Sequence, residues 1–190
     1  KEDHLALKAM SQHCILNAFH EIQFGFHNEM GIHGACPMEM LHHIYLGVFK
    51  RVREIFFEQV GDKRQTAEQM DILATLYGEL YSRQSDREWP NTRFPKGIRA
   101  GKLNGKKYIG LLLCLLSAIR CNEGRKILEK KPKWRELGVV DDWILLLETL
   151  LQWQEWLNSA KMIKSDVQGA KQKHRHIMYL FRKVADREAG

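Results

Sequence analysis

Strand signals are almost absent from this 190-residue chain, which argues against β and α/β architectures and leaves an all-α one. Its four cysteines, Cys14, Cys36, Cys114 and Cys121, show no paired spacing, and two lie in or beside the longest apolar run. That pattern speaks against a disulfide framework and fits a reducing compartment. The run itself, YIGLLLCLLSAI at residues 108–119, is about eight residues short of the ~20 that a bilayer-spanning helix needs. It predicts a buried helix and no membrane partner. No secretory segment opens the chain, so an intracellular protein, not a secreted one, is expected. Nucleophile elbows, phosphate loops and HExxH motifs are missing too, so the chain alone does not read as a complete enzyme.

What is present is positive charge: 30 Lys and Arg against 23 Asp and Glu, a net charge of +7 and a pI near 9.3. Clustered cations bind polyanions by releasing their condensed counterions, and a solvated basic surface without a ligand is the competing reading. With 44% hydrophobic residues the chain can bury one core. It starts at Lys1 and stops at VADREAG with neither polar tail nor capping signal, which predicts a fragment.

Apolar periodicity predicts a helix over 5–20, then a Gly- and His-containing connector over 24–36. Pro37 suits the first turn of a second helix that runs to Val60, with Gly61 as its stop. A third is expected over 66–81, with Met70, Leu73, Ala74, Tyr77 and Leu80 on one stripe. Residues 82–105, SRQSDREWPNTRFPKGIRAGKLNG, have no stable period and form a long basic loop, a prime place for a site. A buried helix over 106–121 follows, then a short one capped by Asn122 and reaching Leu128. Asp141 and Asp142 open a helix whose Trp143, Leu146, Leu147, Leu150, Trp153 and Leu157 share a face, and 165–186 is the last. The expected fold is an irregular all-α bundle of six or seven helices, one domain or fragment with stretches 1–61, 62–135 and 136–190.

The densest polar cluster is GIHGACPMEMLHHIYLGVFKRV at residues 31–52. A helical wheel places Leu41, Ile44, Tyr45, Val48, Val52, Ile55 and Phe56 on one side, and Glu39, His42, His43, Lys50 and Arg53 opposite. A solvent-facing polar side is the simplest reading. A zinc site would use His33, Cys36, Glu39 and His42, but no second cysteine pair or finger spacing supports it. A catalytic reading pairs His42 with Glu39 for acid-base or orienting work. The series His13, His20 and His27 is broken by Gly25.

The same region resembles a known family. NAFHEIQFGFHNEMGIHGACPMEMLHHIYLGVFK is similar to the segment that follows the second catalytic aspartate in CACTA and Plavaka-like DDE-type DNA transposases. The matching residues are Asn17, Phe19, Phe24, Gly25, Gly31, Ile32, Pro37, Glu39, Leu41, His42, Gly47, Phe49 and Lys50. SRQSDREWPNTRFPKGIRAGKLNGKKYIGLLLCLL and FRKVADREAG resemble later segments of that family in the same order, so the resemblance covers nearly the whole chain. It implies a helical insertion within an RNase H-like core, whose three acids hold Mg2+ or Mn2+ for strand cleavage and joining and lie outside this fragment. It also implies a nuclear protein whose partners are transposon-end DNA, the rest of the transposase core and a second copy. Glu39 and His42 match the spacing of a Cys/Asp-x-x-His pair beside the catalytic centre in related transposases, with Glu replacing the usual first residue.

Thirteen Lys and Arg between Arg93 and Arg135 face only Glu123 and Glu129. Arg93, Lys96, Arg99, Lys102, Lys106 and Lys107 are therefore candidates for phosphate contacts that carry no base specificity. Asp86 sits between Arg83 and Arg87, either orienting them toward DNA phosphate or forming a salt-bridged loop. Trp89 and Phe94 are candidates for stacking on an unpaired base, with anchoring of the loop on the core as the alternative. A second reading of the whole chain is a non-catalytic helical interaction module or domesticated transposon remnant, with the Trp-rich helix over 141–158 as its partner surface.

Overall fold

The computed structural model describes residues 40–61, 64–83, 91–99, 103–157 and 164–185, and divides the chain into two units, Lys1–Glu39 and Met40–Gly190. The helix and connector expected upstream of Pro37, and Pro37 itself, lie outside the described residues. A π-helical segment, Met40–Phe49, runs directly into α1 (Lys50–Val60). Then come α2 (Arg64–Arg83), α3 (Gly105–Arg120), α4 (Asn122–Leu128), α5 (Pro132–Glu136), α6 (Val139–Leu157) and α7 (Lys164–Ala185). The regular structure among the described residues is all helix, with no strand among them.

The apolar helix α3 is the centre of the packing. It lies against α2, α6 and the π-helical segment, while α7 packs on the far side of α6. Leu111, Leu112, Leu115 and Ile119 of α3 are buried, as are Trp143, Leu146, Leu147 and Leu150 of α6. Phe56 of α1 meets the Trp143 ring edge-on, with centroids 5.2 Å apart and an 88° interplanar angle, the arrangement that aromatic quadrupoles favour. Gln59 joins three helices beneath it. Its side-chain N–H donates to the Val184 carbonyl at 2.5 Å, and its Oε1 accepts from the Trp143 indole at 3.0 Å. Both ends of a buried amide are thereby satisfied. On the other side of α3, Tyr81 Oη and Ser117 Oγ share a hydrogen bond of 2.6 Å.

Most boundaries follow the expected ones, and the departures have physical reasons. Phe49 is fully buried, whereas Val48 is only half-buried. In a π-helix the hydrogen bond runs from i to i+5, so Ile44 and Phe49 fall on one side, which a 100° wheel does not anticipate. Arg53 is not on an open polar face, because its guanidinium lies over the Tyr108 ring at 5.6 Å. Leu80 of α2 is exposed. The buried face of α2 runs through Ala67, Met70, Ala74 and Gly78 and leaves Leu80 off it. Asn122 does not cap α4. Cys121 has the extended cap backbone, and its Sγ accepts from the Gly124 N–H at 3.3 Å. In the Trp-rich α6, Trp143 and Trp153 are core residues, whereas Leu145 is exposed.

Candidate nucleic-acid interface

Two helix glycines make room for the basic loop. A Cβ on Gly78 of α2 would collide with the Thr92 carbonyl oxygen, and one on Gly110 of α3 with the Asn91 carbonyl oxygen. The chain at Asn91 and Thr92 therefore passes between the helices at backbone distance. Thr92 Oγ1 donates to the Gly78 carbonyl at 2.9 Å. Phe94 is then buried against the same place, and Ile98 is buried completely.

Asp71 holds the far end of the loop. Its Oδ1 accepts from the backbone N–H of Ile98 at 2.6 Å and of Arg99 at 3.1 Å. Between these anchors the Gly97 N–H closes a turn onto the Phe94 carbonyl at 2.9 Å. Gly97 has φ +74, and the Asp71 carboxylate occupies the space a Cβ would take. Only glycine meets both demands without strain.

With Thr92, Phe94 and Ile98 directed inward, Arg93, Lys96 and Arg99 are left exposed. Lys107, in the first turn of α3, joins them: its Nζ donates to the Arg93 carbonyl at 3.4 Å. No Asp or Glu occurs from Asn91 to Arg120, and the Asp71 carboxylate of α2, which meets the loop, is engaged by backbone N–H groups. The result is a cationic ridge on a fixed backbone, suited to a row of phosphates.

The other candidates divide sharply. Arg83 ends α2, twelve residues after Asp71, and so points about 120° around the helix from the loop at ~100° per residue. It is not part of the ridge. Phe94 belongs to the core, which settles it as a loop anchor and removes it as a stacking surface. Glu39, His33, Cys36, Asp86, Arg87, Trp89 and Lys102 lie outside the described residues. His42 is in the π-helical segment and Lys106 in the first turn of α3, with side chains outside the description. Among the described residues no three His, Cys, Asp or Glu side chains converge as a metal site requires.

Two features were missed by sequence reasoning. One is a basic outer surface on α7, where Lys173, Arg175 and Arg182 are exposed beside His174 and His176. Its signal was the complete lack of acids in KQKHRHIMYLFRKVA, residues 171–185. The other is an apolar cleft of about 280 Å³ walled by Gly47, Val48, Trp153, Ile177, Met178 and Phe181, with Arg51 and His174 also lining it. Arg51 is paired with Glu54 and Glu58. Val48 thus serves as a cleft wall, not a core residue.

Three titrations are moved, two of them chiefly by burial. The Cys114 thiol is pushed up to about 12 by desolvation, so it stays protonated and unreactive at neutral pH. Tyr108 is also raised by burial, with Arg53 pulling the other way. Tyr77 is raised chiefly by its hydrogen bond with Cys121. None of these groups lies on the cationic ridge. No family model, no curated protein and no solved structure matches this chain.

Proposed function

We propose that this chain is the helical part of a DDE-type DNA transposase of the CACTA and Plavaka-like kind, and that the loop between α2 and α3 grips the DNA backbone. The supporting observation is the anchored ridge: Arg93, Lys96 and Arg99 are exposed on a backbone held by Thr92, Phe94, Ile98 and Asp71. A loop already fixed loses little conformational entropy when it meets a phosphate row. The resemblance in motif order supplies the enzyme class.

On this reading the chemistry is divided. Arg93, Lys96, Arg99 and Lys107 neutralise phosphates and position the duplex without reading bases, with Lys102 and Lys106 as further candidates by sequence. The acids that bind Mg2+ or Mn2+ belong to an RNase H-like core elsewhere in the parent protein. By the resemblance in spacing, Glu39 and His42 are the residue pair that accompanies that catalytic centre, and the protein works in the nucleus.

Fluorescence anisotropy with two duplexes of unrelated sequence tests the reading. Both are expected to bind with similar affinity, and a log-log plot against salt should have a slope of roughly −3.6 to −5.4 for four to six phosphate contacts at about 0.9 per contact. Absent binding, or binding indifferent to salt, would overturn it.

A further inference from the structure

The outer face of α2 carries three large aliphatic side chains in a helical row: Ile72, Leu76 and Leu80, exposed to 55%, 50% and 54%. They are spaced i, i+4 and i+8 and make one stripe, directed away from the face that packs on α3. The core uses none of the three, and a half-exposed aliphatic row at this spacing is the pattern by which one helix recognises another.

We propose that this stripe joins two copies of the chain through antiparallel packing of α2 on α2 about a twofold axis at Leu76. The row is self-complementary under that operation. Leu76 meets Leu76 of the second copy, and Ile72, four residues before it, meets Leu80 of the second copy, four residues after it. Charge matches as well. Glu68 lies eight residues before Leu76 and Arg83 seven residues after it, so each Glu68 comes within one residue's rise, ~1.5 Å along the axis, of Arg83 of the second copy.

Glu68, four residues before Ile72, continues the row at one end, and Arg83, three residues after Leu80, lies one turn beyond its other end, so a twofold axis perpendicular to antiparallel helices brings the two ends together. Both side chains are exposed, and neither makes an ion pair among the described residues. Glu79 comes level along the axis with Leu73 of the second copy, so no acid is level with another acid. The contact is one helix face wide, below the ~800 Å² per partner of a standard interface, and a weak reversible dimer follows. The ridge of Arg93, Lys96 and Arg99 lies on another side of α2 and stays open in such a pair.

Sedimentation velocity of the full 190-residue chain across the micromolar range tests the interface. A concentration-dependent monomer-dimer equilibrium is expected. Leu76→Glu should abolish it while leaving the far-UV circular dichroism and melting temperature unchanged, because the side chain is outside the core. Glu68→Arg alone and Arg83→Glu alone should each weaken the dimer about tenfold, and the double variant should recover most of the loss. A chain that stays monomeric, a dimer that survives Leu76→Glu, or a double variant no better than the singles would each overturn the proposal. Duplex binding by a monomeric chain would leave the proposed DNA contact standing while removing this interface.

Discussion

The Asp71 carboxylate of α2 accepts the backbone N–H of Ile98 at 2.6 Å, across 27 residues of sequence, and so decides where the cationic loop sits. Asp71→Ala removes this anchor and the companion bond to Arg99. It should lower stability by about 1–2 kcal/mol for two lost hydrogen bonds. It should also weaken duplex binding although no cation has been deleted. Melting curves and anisotropy on the same sample check both. Unchanged DNA affinity after a clear drop in melting temperature would mean that the loop position is irrelevant to binding.

Gly78 and Gly110 should not tolerate a methyl group. Alanine ordinarily favours a helix over glycine by up to ~1 kcal/mol, but here each new Cβ meets a backbone carbonyl oxygen of Asn91 or Thr92. The steric term wins, and each variant should lose about 1–3 kcal/mol. Gly169→Ala is the control, since nothing lies within 4 Å of its Cβ position. That variant should gain roughly 0.5–1 kcal/mol. Denaturant midpoints of the three decide whether approach or propensity dominates.

Gln59→Leu preserves volume and removes the tie between α1, α6 and α7. The Trp143 indole N–H and the Val184 carbonyl would both lose their partner, at a cost of about 2–4 kcal/mol for two buried unsatisfied groups. Unfolding followed by tryptophan fluorescence measures it. A loss below about 1 kcal/mol would show that these groups find other partners.

Cys114 predicts an alkaline weakness. Its thiol titrates near 9 in the unfolded chain and at about 12 in the folded one. Above pH 9 the unfolded state therefore loses a proton that the folded state keeps, and stability falls as pH rises toward 12. The raised Tyr108 and Tyr77 act in the same direction above about pH 10. Guanidinium titrations at several alkaline pH values should show a shallower decline for Cys114→Ala than for the wild type. At neutral pH a thiol reagent should reach Cys114 only on unfolding.

Legibility from the sequence depended on the range of the interaction. Helix α6 could be read directly, because Asp141 and Asp142 at its first turn and the buried row from Trp143 to Trp153 are local signals. Helix α5 could not, since five residues starting at Pro132 are too few to show a period. The candidate cations Arg93, Lys96 and Arg99 stood out by composition, yet nothing local linked Asp71 to Ile98 and Arg99. Gly78 and Gly110 were the available clue, as a glycine inside an apolar helical pattern often marks a close backbone approach. Phe94 shows the same limit: whether an aromatic stacks on a ligand or fills a core is fixed by partners distant in sequence, here Gly78.

The sharpest test compares the salt dependence of duplex binding by the wild type and by the triple variant Arg93→Ala, Lys96→Ala, Arg99→Ala. Three exposed cations contacting phosphate predict that the log-log slope becomes shallower by roughly 2.7, at about 0.9 per contact, and by the same amount on unrelated duplexes. The fold should be unaffected, since none of the three side chains is buried. Equal slopes and equal affinities for the two proteins would contradict the claim that this anchored loop is where the chain holds DNA.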